Sequence, residues 1–301
     1  MSVGVMFHHF VDGRHPLIQG ALTGDQFEAV IKRIGPDRIL RPEAWIERSK
    51  AGTLRADDVC LTFDDALLSQ ADVAAPILRA YDLKAFFFVY TSVCEGEIEL
   101  FEVIRYFRNT EFPSPHDFYD AFYEAACSTE LGEKVNAARA GEAALSHLSA
   151  YKFYTAQDRI FRYVRDRVLD RDQYYEICTE LMRGMGYDVR ETARRIWLDD
   201  NAIKALDAEG HMIGLHSSSH PTNLGQWPRP DQEKEYGRNR DYLVNLLAKK
   251  PLSVAYPSGC YNDDTLDIMR EFGIDVGFLS DAGGNGSILE QPRLDHSVYE
   301  S

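Results

Sequence analysis

The chain of 301 residues carries 33 Lys and Arg against 48 Asp and Glu, a formal charge of −15 at pH 7, with 45% hydrophobic and 27% charged residues. This length can bury a large core as one elaborated domain or two, and the composition is that of a globular protein rather than a disordered one. The acidic balance, with no basic stripe to offset it, excludes nucleic acid and anionic membrane surfaces as expected partners. Cys60, Cys94, Cys127, Cys178 and Cys260 are widely spaced with no CxxC pair, which predicts reduced thiols, mostly buried, and no disulfide framework. The N-terminus lacks the basic start of a signal peptide, and no stretch nears the roughly 20 apolar residues of a membrane span. A cytoplasmic protein is therefore expected.

In chain order, Val3 to Phe7 predicts a first strand with His8 and His9 at its C-terminal end, a place suited to the mouth of an active site. Thr23-Gly24-Asp25-Gln26 opens an amphipathic helix that stops at Gly35-Pro36, and Pro42 to Lys50 predicts a second helix. Val59-Cys60-Leu61-Thr62-Phe63 is an apolar run that ends in the adjacent carboxylates of Asp64 and Asp65. Two acids at the end of a buried strand repel each other, a cost that a cation relieves. A helix over Ala71 to Tyr81 and a buried strand over Ala85 to Tyr90 complete a βαβ unit. That unit implies a parallel sheet with helices outside it and ligands at the carboxyl ends of its strands.

From Gly96 the character changes. Apolar residues recur at helical spacing through Leu100 to Tyr106, Phe118 to Ala126, Val135 to Phe153, Ile160 to Leu169 and Tyr174 to Met185. The pattern predicts an all-helical insertion over 96–196 between α/β parts at 1–95 and 197–301. Phe118, Tyr119, Phe122, Tyr123, Tyr151, Phe153 and Tyr154 read as its core.

The α/β pattern resumes at Trp197. Asp199 or Asp200 caps a helix over Ala202 to Glu209, and the strand Met212 to Leu215 delivers His216, with His220 four residues on. Imidazoles so spaced lie on one side of a turn and can grip one ion. With one of the two aspartates they make a two-histidine, one-carboxylate site that keeps positions open for water and substrate. A helix from Asp231 to Lys249 leads to the strand Ser253 to Tyr256. That strand ends in Pro257-Ser258-Gly259, a tight turn whose amides could face the same site. A capped helix ending at Gly273 and a strand over Val276 to Leu279 follow. The Gly-rich stretch 281–286 lacks dinucleotide-binding spacing and reads as a loop.

Thr62-Phe63-Asp64-Asp65-Ala66 resembles the TFDDG motif, and His216-Ser217-Ser218-Ser219-His220 the H-[ST]-x-x-H motif, of the polysaccharide deacetylases with the NodB homology domain, carbohydrate esterase family 4. The resemblance covers 1–95 and 197–301. It implies an α/β fold, a deformed (β/α) barrel of about seven strands, and says nothing about the helical insertion. It also implies Asp64 as catalytic base and Asp65, His216 and His220 as ligands of one divalent metal ion, zinc first, with Co2+, Ni2+ or Mn2+ as alternatives. Leu294-Asp295-His296 is similar to the closing L-x-H motif, which makes His296 the candidate general acid. The arginine of the third motif, RPPYG, is absent, because Ala255-Tyr256-Pro257-Ser258-Gly259 stands in its place. Arg293 is the candidate to supply that charge, and Tyr256, Ser258, His8 and His9 are candidates for orienting substrate or meeting an oxyanion.

The expected function is a metal-dependent carbohydrate N-deacetylase. Water activated at the ion would attack the amide, with Asp64 as base and His296 protonating the amine. The substrate would be an N-acyl amino sugar, N-acetyl before N-formyl, in a glycan or in a nucleotide-linked, lipid-linked or oligosaccharide form. Two rivals are a sugar N-deformylase of the same fold and a degenerate carbohydrate-binding protein. The missing arginine favours the degenerate protein, and the complete set of Asp64, Asp65, His216 and His220 opposes it.

Overall fold

Strands β1 (Val3–Phe7), β2 (Val59–Phe63) and β3 (Phe86–Val89) are buried at every residue, as strands covered on both faces must be. The computed structural model describes residues 2–149 and 155–300. The chain divides into two compact units, Met1–Ile98 with Arg195–Ser301, and Glu99–Arg194.

In the first unit, β4 (Met212–Leu215), β5 (Ser253–Ala255), β6 (Val276–Phe278) and β7 (Arg293–Asp295) join the first three strands in a seven-stranded sheet of order β6-β5-β4-β3-β2-β1-β7. All its ladders are parallel. Just before β7, Gln291 pairs back with Phe278, so the segment that leads into β7 also touches β6 and nearly closes the sheet into a barrel. Side chains alternate about this wall. Val5, Phe7, Leu61, Phe63, Phe87, Val89 and Leu215 join the core beneath the helices, while Cys60, Phe86, Phe88, Ala255, Val276 and Phe278 fill the interior with Trp45. The expected deformed (β/α) barrel is the fold observed.

Helix α1 (Gly24–Ile34) starts on a capping box of Thr23 and Gln26 and buries Phe27, Val30, Ile31 and Ile34, one face at a spacing of three and four. Helix α2 (Pro42–Ala51) follows, and a π-helical turn over Gln70–Ala74 runs into α3 (Ala75–Ala80).

The second unit holds α4 (Leu100–Thr110), α5 (Pro115–Cys127), α6 (Gly132–Arg139), α7 (Glu142–Ser146), α8 (Ala156–Tyr163) and α9 (Arg171–Gly184), with α10 (Val189–Ile196) at its end. Phe118, Tyr119, Phe122 and Tyr123 are buried there. Tyr151, Phe153 and Tyr154 lie outside the described residues. The continuous helix expected from Val135 divides into α6 and α7, because Gly141 takes an extended conformation between them (φ −82°, ψ 146°).

Returning to the first unit, α11 (Asp200–Ala208) is capped by Asp199, and α12 (Arg229–Leu247) and α13 (Asp263–Phe272) cover the later strands. Of the cysteines, Cys60 and Cys178 are buried, Cys94 and Cys260 half-buried and Cys127 exposed, all unpaired. Fewer of them are buried than the sequence leads one to expect. Among the described residues no helix is long and apolar enough to cross a membrane.

His211 enters β4 buried, with its Nδ1 accepting the Ala85 N–H at 3.2 Å and its ring edge-on to Phe87. Burial, aided by Lys84, pushes its pKa down to about 4. The folded chain thus refuses a proton that the unfolded chain accepts below about pH 6.5, so stability is complete above that value and falls as pH drops towards 4. The loss amounts to about 3 kcal/mol at roughly 1.4 kcal/mol per pH unit. Urea unfolding of wild type and His211→Gln at pH 7 and pH 4.5 should show a smaller acid-induced loss in the variant. Equal losses would remove His211 as the cause.

Candidate active site

The strand alternation that puts Phe63 in the outer core leaves Thr62 and Asp64 facing the interior. Opposite them, Arg293 of β7 faces inward beside Gly4 of β1, its register partner. A Cβ at Gly4 would lie 3.0 Å from Arg293 Cγ, so the glycine leaves the lane through which the arginine crosses the barrel. The guanidinium forks the Asp64 carboxylate, Nη1 to Oδ1 at 2.7 Å and Nη2 to Oδ2 at 2.8 Å. Nη1 also donates to Thr62 Oγ1, and Nε to the Leu279 carbonyl. Asp64 is 3% and Arg293 1% exposed. Burial pushes the Asp64 pKa up, but the charge of Arg293, helped by His216 and His8, outweighs it and holds the carboxyl below its usual range.

After Asp64 the chain turns through two left-handed residues, Asp65 (φ 74°) and Ala66 (φ 53°), a conformation that costs a non-glycine residue about 1–2 kcal/mol. The turn delivers Asp65 to a different set of partners. Its Oδ1 lies 3.3 Å from His216 Nε2 and 3.3 Å from His220 Nε2. His216 leaves β4 inward and its Nδ1 sits 2.8 Å from the Ala255 carbonyl, which therefore accepts the ring proton and leaves Nε2 with its lone pair towards Asp65. Burial lowers the His216 pKa, yet Asp65 and Asp64 outweigh it and raise the net value. Burial pushes His220 down to about 4, so its ring is neutral at pH 7. Asp65 is half-buried, and removal from water alone would raise its pKa, but His220 and His216 hold it well below the ordinary range.

One ligand atom from each of Asp65, His216 and His220 lies within 4.8 Å of the others. Donors about 2.0–2.1 Å from a tetrahedral ion stand roughly 3.3–3.4 Å apart, the spacing of Asp65 Oδ1 from both imidazoles. Three neutral or anionic donors of this kind fit one divalent transition ion and leave coordination positions open.

His8, at the end of β1, places Nε2 4.0 Å from Asp64 Oδ2 and is about a third exposed. His9 is buried. Ser258 is exposed in a left-handed turn at the end of β5. Two expected members of the site stand elsewhere. His296 follows Asp295 onto the outer face, where its ring stacks on Phe7 (5.5 Å between centroids, 5° between planes) and its Nδ1 faces Glu300 at 2.6 Å. The alternation that sends Arg293 and Asp295 inward sends His296 outward. Tyr256 points into the outer core, stacked on Tyr261 with its hydroxyl donating to the Leu289 carbonyl.

The sequence reading missed Glu235 and Asn239 of α12, which bind the His216–His220 segment. A signal was present: the buried stripe of this helix is Gln232, Tyr236, Asn239 and Leu243, with polar groups where an amphipathic helix would place apolar ones.

Residues 184–277 match the family model described as polysaccharide deacetylase. The match contains His216 and His220 and leaves Asp64 and Asp65 outside. Among solved structures, the deacetylase PplD of Streptococcus pyogenes, in complex with acetate, is 19% identical at a TM-score of 0.57, covering 97% of this chain and 91% of its own. IcaB from Ammonifex degensii is 14% identical at a TM-score of 0.56, covering 100% and 97%. A de-N-acetylase from Aggregatibacter actinomycetemcomitans is 12% identical at 0.57, covering 98% and 95%. Curated proteins yield no match. Residues 184–277 thus resemble polysaccharide deacetylases in sequence, and the barrel shared with the solved deacetylases agrees with that resemblance.

Proposed function

We propose that the chain is a metal-dependent carbohydrate N-deacetylase that hydrolyses the N-acetyl group of an amino sugar within a glycan or glycan precursor. The observation that carries the reading is the separation of the two adjacent aspartates. Asp65 lies with two imidazoles that fit an ion, and Asp64 stands apart, ionised and gripped by an arginine. A divalent ion held by Asp65, His216 and His220, zinc first, supplies Lewis acidity to an acyl carbonyl and to water at neutral pH.

The chain's own residues divide the remaining work. Asp64 takes the proton of the attacking water, and Arg293 fixes the orientation of its carboxylate and keeps it charged. His8 is the imidazole beside Asp64 and open to solvent, and we assign it the proton delivered to the departing nitrogen, a role that the outward ring of His296 does not reach. Ser258 is the assigned source of a backbone N–H for the oxyanion. The arginine fork on Asp64 weighs against the degenerate binding-protein reading, since the charge missing from the third motif is supplied from β7.

The test is zinc content by elemental analysis together with acetate release from N-acetylglucosamine oligomers and nucleotide-linked N-acetyl sugars. About one zinc per chain and acetate release that scales with it are expected, and His216→Ala should lose both. Formate release from N-formyl substrates without acetate release would shift the reading to a deformylase. Release of neither would sink it.

A further inference from the structure

The His216–His220 segment is an awkward piece of backbone to hold still. Ser217 (φ 62°) and His220 (φ 54°) are both left-handed without being glycine, so the segment keeps its shape only if its surroundings enforce it. Part of the restraint is local: the Ser217 hydroxyl accepts the His220 N–H at 3.0 Å. Part comes from the loop after β3, where the N–H groups of Thr91 and Ser92 both donate to the Ser218 carbonyl, at 3.0 and 2.8 Å.

The rest comes from α12. Asn239 is fully buried, and a buried amide persists only where its hydrogen bonds are made. Its Oδ1 accepts the His216 N–H at 3.1 Å, while its Nδ2 donates to the Val89 carbonyl at 2.9 Å and to Thr91 Oγ1 at 3.3 Å. The amide thus ties the backbone of one imidazole-bearing residue to the end of β3. One helical turn earlier, Glu235 Oε1 accepts both the N–H of Ser219, at 2.5 Å, and its hydroxyl, at 2.9 Å. Ser219 directly precedes His220. Residues four apart share a helix face, so a single face of α12 grips the backbone at both ends of the ligand pair.

We infer that Asn239 and Glu235 are positioning residues that set the separation of the His216 and His220 imidazoles and thereby the affinity of the site for its ion. The inference rests on the reading that these imidazoles hold the metal. Neither residue needs to touch the ion, and the role of Glu235 is that of an acceptor for Ser219 rather than of a charge. Supporting groups of this kind alter affinity through the geometry of the ligands they hold.

The experiment measures zinc affinity by competition with a chromophoric chelator, the visible spectrum of the cobalt-substituted protein, and amide hydrogen exchange of residues 216–220 in zinc-free protein. The set comprises wild type, Asn239→Ala, Glu235→Ala and Glu235→Gln. Both alanine variants should bind zinc about 10–100-fold more weakly, alter the cobalt spectrum and exchange faster at 216–220, while Glu235→Gln, which keeps the acceptor, should stay within roughly threefold of wild type. Glu235 is only half-buried, so its variants remain informative if Asn239→Ala does not fold. Unchanged zinc affinity and cobalt spectrum in the alanine variants, even with a lower melting temperature, would overturn the inference, as would Glu235→Gln binding as weakly as Glu235→Ala. A wild type that takes up neither metal removes the metal reading itself, a result distinct from a wild type and variants that bind equally well.

Discussion

Arg293→Met is expected to lower the stability of the chain by about 3–5 kcal/mol, the cost of leaving a buried carboxylate without its partner. The size follows from burial. Asp64 and Arg293 are 3% and 1% exposed and share two hydrogen bonds of 2.7 and 2.8 Å, so water cannot replace the lost guanidinium without opening the barrel. Burial is also the influence that pushes the Asp64 pKa up, and the Arg293 charge is the first of those that reverse it. Without that charge Asp64 would drift towards its protonated form, and the base proposed at this position would fail together with the fold. The control is Asp64→Asn/Arg293→Met, which removes the charge along with its partner. Urea unfolding in metal-free buffer should find the double variant more stable than Arg293→Met alone, since the pair is coupled and its energies do not add. A loss below about 1 kcal/mol in Arg293→Met would mean that Asp64 reaches water or another cation, the range of an exposed pair.

The sequence nominates Arg293 as the missing charge without fixing where its side chain points. β2 and β4 were legible because each is a short apolar run that ends abruptly in chemistry-bearing residues, and a buried strand forces those residues to the barrel mouth. β7 has no such pattern. Its residues are Arg293, Leu294 and Asp295, two of them charged, and a three-residue strand is too short for alternation to declare itself. Only the register of β7 against β1, with Gly4 opposite Arg293, fixes which residues face inward. The same register explains why Leu294-Asp295-His296, similar to a motif as a string, carries its histidine onto Phe7 rather than into the barrel. The division of labour between Asp64 and Asp65 was equally hidden from the residues alone. It depends on the left-handed turn at Asp65 and Ala66, which neither a propensity nor a period announces. The support from α12 lay in plain view as buried polar residues on a helical stripe, but only the fold says what they hold.

Asp64→Asn should reduce kcat for acetate release by about 10²–10⁴-fold, the span expected when a positioned general base is lost. Asparagine preserves the shape, and its one oxygen accepts one of the two Arg293 hydrogen bonds, so the variant should be less stable but still folded at about 25 °C with the Asp65, His216 and His220 donors in place. KM should change little, because the side chain acts on the water rather than on the sugar. The comparison with Asp65→Asn separates the two adjacent aspartates. Asp65 Oδ1 faces both imidazoles at 3.3 Å, so its loss should remove zinc and activity together, whereas Asp64→Asn should retain about one zinc per chain while turnover collapses. If Asp64→Asn loses its zinc as readily as Asp65→Asn, both carboxylates bind the ion and the base must be sought elsewhere. If Asp64→Asn keeps both zinc and turnover, the arginine fork holds a structural carboxylate. The expected result, metal kept and rate lost, is the one that only a base standing beside the ion, and not on it, can give.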